Sequence, residues 1–230
     1  MLTARKRWSH IALCVYLLGA PVAGHAVIVD RVAVTVGDKI ITESEVDQRI
    51  RLTAFQNKEK ADLSPASRRK AAQQLIDQKL IEREMDVGRY PRLEVVGRKA
   101  LLTEYAKTEY QSDPIALTKA LTAYNLTPQD LEDDLGRQSD LLTFLNLRFR
   151  PAVQVTDQDI RKYYEDNVLK NATQKTVQQA QAGALNEMRA AIELKLTSER
   201  GDRELDLWLQ DQRKRTRIEY LEKDLQGDQK

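Results

Sequence analysis

The sequence predicts a mainly α protein: a multi-helix core with a small antiparallel sheet, in which an N-terminal β-hairpin meets a C-terminal strand. Three observations carry that prediction. Strand patterning is confined to two stretches, 32–41 and 217–221, near opposite ends of the chain. The punctuation between them is helical. The composition, 31% charged and 6% aromatic with nine glycines in 230 residues, is that of helices with solvated outer faces.

The hairpin is the clearest element. Val32, Val34 and Val36 alternate, Gly37-Asp38 supplies a two-residue turn, and Lys39-Ile40-Ile41 returns. Two strands alone are marginal in water, so the hairpin needs a third. Arg217-Ile218-Glu219-Tyr220-Leu221 is the best remaining candidate, and the two ends of the chain are therefore expected to meet.

Capping chemistry marks the helix starts. Thr42 and Glu45 form a capping box that opens a helix to about Asn57. Ser64-Pro65, Asp113-Pro114 and Thr127-Pro128 each put a capping side chain before a proline at the first helical position, where its missing amide hydrogen costs nothing. They predict helices over 65–87, stopping at Gly88, over 114–124 and over 128–149, with a further helix over 94–111. Asn125 is a left-handed cap candidate between two of them. Pro151 interrupts the chain, and Thr156 with Asp159 caps a helix to about Asn167. After a short polar connector, 168–176, a long helix reaches about Arg215, with Gly201 as a possible bend. Its expected buried positions are Leu185, Met188, Ile192, Leu196, Leu205 and Trp208.

Residues 1–26 read as a secretory leader. Arg5, Lys6 and Arg7 precede the apolar run Ile11 to Leu18, and small residues follow up to Ala26. The run is about half of the ~20 residues that span a bilayer as a helix, which favours a leader over an uncleaved anchor. Cleavage after Ala26 is preferred, with Ala23 as the alternative; Cys14, inside the apolar core behind Leu13, is not placed for lipid attachment. The organisation is then a leader at 1–26, one folded unit at 27–225 and a frayed tail at 226–230. Within the unit, 27–167 supplies the hairpin and first helices, and 173–221 the closing helix and strand.

Export changes which chemistry is open to the chain. His10, His25 and Cys14 all leave with the leader, so the mature chain of about 204 residues has no histidine and no cysteine. Nucleophilic triads, a histidine base and ordinary zinc sites are excluded together, and no catalytic residue, cofactor or metal is expected. Without the three leader cations, 34 basic residues face 35 acidic ones, a balance that argues against nucleic-acid binding.

The run from Val29-Asp30-Arg31-Val32 through Ile41-Thr42-Glu43-Ser44-Glu45-Val46 resembles the start of SurA-type periplasmic chaperones. Leu75-Ile76-Asp77-Gln78-Lys79-Leu80-Ile81 is similar to that family's second helix, and Val155-Thr156-Asp157-Gln158-Asp159-Ile160 with Tyr163-Tyr164 to the helix leading into its isomerase domain. The long last helix and Ile218-Glu219-Tyr220 resemble the segment that completes the family's core. The resemblance implies a periplasmic, ATP-independent holdase for unfolded polypeptides, outer-membrane protein precursors above all. It departs from the family at one point. The connector 168–176 is far shorter than the ~50 residues a domain needs, so the parvulin-type isomerase domain is expected to be absent. A prolyl isomerase and a helical adaptor docking one fixed partner are the rival readings.

The apolar run Leu141, Leu142, Phe144, Leu145, Leu147 and Phe149 covers more than one helix face, which a helix surrounded by neighbours explains. The resemblance adds the alternative that part of it lines a groove for clients. Leu141, Phe144, Leu145 and Phe149, with Tyr105 and Tyr163, are accordingly the candidate peptide contacts. Packing at the edge of the core is the default for tyrosines 105, 110, 163 and 164. Glu132-Asp133-Asp134, without a second acidic cluster, reads as a solvated helix face. Arg213-Lys214-Arg215 with Arg217 complements a helix C-terminus.

Overall fold

The computed structural model describes residues 30–169 and 183–225. The expected leader at 1–26, most of the connector at 168–176 and the tail at 226–230 lie outside them. Strands β1 (Val32–Val36) and β2 (Lys39–Thr42) form the hairpin, and β3 (Ile218–Tyr220) completes a sheet of order β2-β1-β3. Both pairings are antiparallel, with Val34 opposite Ile41 on one side and Tyr220 on the other. Gly37 takes φ 60° at the turn, and its amide donates to the Arg217 carbonyl at 2.9 Å, tying the chain ends together.

Helix α1 (Glu43–Asn57) opens with the expected box, the Thr42 amide donating to Glu45 Oε2 at 2.8 Å and the Glu45 amide to Thr42 Oγ1 at 3.3 Å. Helices α2 (Pro65–Val87), α4 (Pro114–Thr122) and α5 (Pro128–Arg148) each begin at their proline behind a side-chain cap. Between them lies α3 (Val95–Tyr110). Helix α2 stops at Gly88, although the left-handed residue there is Arg89; Asn125 takes φ 54° as its side chain favours. A 3₁₀ turn (Arg150–Ala152) precedes α6 (Asp157–Tyr164), which runs on into a π-helical turn (Glu165–Leu169). Helix α7 (Gly183–Arg215) continues through Gly201, which is buried beside Arg150. Its 33 residues span about 50 Å.

Three apolar clusters form among the described residues. The largest joins the inner face of the sheet to α2, the first half of α1, the last turns of α5 and Leu209 of α7. A second gathers Leu52 and Phe55 of α1, Leu117 and Leu121 of α4, Leu126, and Leu131 of α5. The third is small: Ile160 and Tyr164 of α6 against Ile192 of α7. Helices α1 and α5 thus belong to the first cluster at one end and the second at the other.

The expected buried stripe of α7 needs one correction. Ile192 is buried and Leu185, Leu196, Leu205 and Trp208 are half-buried, but Met188 is 38% exposed. Among the described residues the N-terminal half of α7 packs on α6 and Val155, and so short a neighbour covers a narrower stripe than a core does. No helix among the described residues is long and apolar enough to cross a membrane.

Candidate functional site

Helices α1, α2, α5 and α7 surround a solvent-open cleft of about 360 Å³. Its floor is apolar: Ile81 and Met85 from α2, Leu141 from α5, Leu205 and Leu209 from α7. On α2, Leu75, Ile76 and Leu80 belong to the main cluster; Ile81 and Met85 lie where that cluster reaches the cleft. The rim carries the side-chain amides of Gln74, Gln78 and Gln138 together with charged groups. A larger hollow of about 730 Å³ borders the hairpin at Lys39 and Ile40 and shares Glu82, Arg92, Arg137 and Asp140 with the cleft.

The wall of the cleft is built on Asp134, which is 1% exposed. Its carboxylate accepts from Arg49 Nη1 at 3.0 Å, Gln56 Nε2 at 3.0 Å, Gln138 Nε2 at 2.8 Å and Arg137 Nη2 at 3.3 Å. Four donors on one carboxylate offset the cost of burying it. Burial holds the Arg49 guanidinium below its ordinary pKa, while the Asp134 charge opposes that shift. Arg49 also donates to Gln78 Oε1 at 2.7 Å, linking α1, α2 and α5. Nearly two turns along α5, buried Asp140 accepts from the Leu93 amide at 2.6 Å and from Arg98 Nη2 at 2.7 Å. This polar layer sits between the two larger apolar clusters.

The acidic triplet therefore departs from its expected solvated placement. Asp134 and Glu132 are buried, because α5 has neighbours on more than one side at that level: α1 across Asp134 and α3 across Asp140. A sequence signal for that crowding is Gly136, a glycine inside a helix. The Arg98 side chain lies across it to reach Asp140, where a Cβ would come within 2.7 Å of Arg98 Cζ.

The six candidate contacts are not brought together. Leu141 lines the cleft. Phe144, Leu145 and Phe149 are buried in the main cluster, which corrects their placement on a client groove. The reason is geometric: Phe144 packs edge-on against Tyr90, Phe149 and Trp208, with ring centroids 5.1, 5.6 and 5.7 Å apart, so this face of the end of α5 is enclosed. Tyr105 lies 6.2 Å from Phe55 in the second cluster, and burial, reinforced by Tyr110 and Glu109, pushes its phenol up to about 12. Tyr163 flanks the third cluster with Lys195 Nζ 5.7 Å above its ring. Leu142 and Leu147, from the same apolar run, are more than half exposed.

Sequence reasoning missed Gln74, Gln78, Ile81, Met85 and Gln138 as lining residues. Apolar positions that face a cleft and apolar positions that face a core share one helical period. No group of three or more His, Cys, Asp or Glu side chains with metal-binding geometry occurs among the described residues. No protein-family model matches the chain, and no curated protein matches it.

Proposed function

We propose that this chain is an ATP-independent holdase of the SurA type, exported to the periplasm, which binds non-native outer-membrane protein precursors without chemistry of its own. The observation that carries the reading is the open cleft with an apolar floor and an amide-bearing rim. An unfolded segment offers alternating side chains and unpaired backbone amides. Ile81, Met85, Leu141, Leu205 and Leu209 suit the first, and the Gln74 side-chain amide, donor and acceptor at once, with the Oε1 of Gln138, suits the second. Each Å² of apolar surface removed from water contributes about 25 cal/mol, and a cleft of this size limits that gain, so clients leave without an energy source. Exposed apolar side chains outside the cleft, among them Leu142, Leu147, Leu194 and Leu207, would add weak contacts along a long client.

The test uses a urea-unfolded outer-membrane protein diluted into buffer with and without the purified protein, with light scattering as the readout. Near-stoichiometric protein is expected to slow aggregation of several clients. A Leu141→Gln, Leu205→Gln double variant with an unchanged circular dichroism spectrum is expected to protect less. No protection of any client removes the proposal, and a single stoichiometric partner in a crosslinking experiment would replace it with a fixed adaptor. A proline-limited refolding assay is expected to show no acceleration.

A further inference from the structure

The charged groups around the cleft form a closed set. Asp134 is paired with Arg49 and Arg137. Asp77 on α2 takes Arg213 of α7 in a two-pronged contact, Nε to Oδ1 and Nη2 to Oδ2, both 2.7 Å. Asp140 is held by Arg98 at 2.7 Å and Arg92 by Asp86 at 2.6 Å. Glu82 accepts from Gln78 Nε2 at 2.7 Å and acts on the Arg49 guanidinium through its charge, without a direct ion pair among the described residues. The lining charges and their partners thus comprise five cations and five anions. By contrast the Gln74 side chain has no hydrogen-bond partner among the described residues, and the Oε1 of Gln138 accepts from none of them.

Resting on the polypeptide-binding reading, we infer that this cleft selects uncharged, extended segments and rejects charged residues of either sign at its centre. A client carboxylate meets arginines already paired with carboxylates, and a client ammonium meets carboxylates that are paired with arginines or, for Glu82, held by the Gln78 amide. Either charge must be desolvated over Ile81, Met85 and Leu141 without gaining a partner. An uncharged segment loses nothing comparable, and its main-chain groups meet the free amide of Gln74 and the free carbonyl of Gln138. Compensation is what makes the cleft indifferent to sequence within the uncharged class, since no single side chain outside it is demanded. The same compensation predicts binding that salt does not weaken, because no net field draws the client in.

The experiment measures fluorescence anisotropy of an acetylated, amidated peptide of alternating Val and Thr with a central Leu, alongside versions carrying Lys or Glu at the centre. The uncharged peptide is expected to bind, with its affinity unchanged within about twofold between roughly 50 mM and 500 mM sodium chloride. Both charged versions are expected to bind more weakly, by at least about tenfold. Two variants narrow the selectivity, each for one sign of charge. Asp77→Asn releases Arg213 and is expected to raise affinity for the Glu peptide about three- to fivefold at low salt, and Gln74→Glu, at an exposed position, does the same for the Lys peptide. Equal binding of charged and uncharged peptides, or salt-weakened binding of the uncharged one, overturns the inference and leaves the chaperone reading standing. If no peptide binds while clients are still protected, the cleft is not the client site and the inference falls. If protection is also absent, both fall. Self-association in sedimentation that the uncharged peptide does not compete would assign the cleft to a second copy and overturn it equally.

Discussion

Replacing Asp134 by alanine would leave Arg49 buried without its main partner, while Gln56, Gln138 and Arg137 each lose an acceptor. Breaking a buried pair from one side costs about 3–5 kcal/mol, so urea unfolding of the Asp134→Ala variant is expected to show a loss of that order. A loss below ~1 kcal/mol would mean that the carboxylate is only decoration on α5. Tyr105 offers a second residue-scale measurement. Its phenol titrates near 12 in the fold and near 10 when unfolded, so the folded state holds the proton more tightly. Stability from this group is complete below pH 10 and falls as pH rises from about 10 toward about 12. Ultraviolet titration should therefore find Tyr105 ionising late, beside Tyr110, whose phenol burial also raises, and Tyr105→Phe should remove one tyrosine from the late step and lessen the fall in stability over the same window.

At the scale of elements, α5 is the beam of the molecule, with its N-terminal half in the second apolar cluster and its C-terminal half in the first. Gly136 lies between those halves. On an exposed helix, Gly→Ala stabilises by up to about 1 kcal/mol through propensity. Here the added methyl would meet the Arg98 side chain, which is pinned by Asp140 and by the Leu93 carbonyl 3.1 Å from Nε. The displacement of a buried ion pair outweighs the propensity gain, and Gly136→Ala is expected to destabilise by about 2 kcal/mol in thermal or urea unfolding. A stabilised variant would show that Arg98 moves aside freely. The helix starts are a contrasting case, because caps, prolines and first turns are local in sequence. Thr42, Ser64, Asp113, Thr127 and Thr156 all accept from first-turn backbone amides where the sequence placed them.

For the whole molecule, the three clusters differ in size, and local stability should follow. The third has three buried residues, Ile160, Tyr164 and Ile192, supported by the Arg200–Asp159 pair at 2.7 Å. Hydrogen exchange is expected to be fastest in α6 and the N-terminal half of α7, and slowest in β1, α2 and the end of α5. Uniform protection across the molecule would contradict that order. The meeting of the chain ends was legible because a lone hairpin requires a third strand and 217–221 was the remaining segment with strand patterning. Most of the site was not legible. Phe144 and Leu141 lie three residues apart in one apolar run, yet one is enclosed by Tyr90, Phe149 and Trp208 and the other faces a cleft. Asp134 sits in an acidic triplet that looks solvated until α1 is packed beside it. By itself, then, the amino-acid order determined the fold class, the starts of the helices and the pairing of the ends, since these depend on neighbours within a few residues and on hydrophobic period. Which apolar groups are covered, which charges are paired and where a cleft remains open depend on contacts between residues dozens of positions apart, and only the tertiary structure decided them.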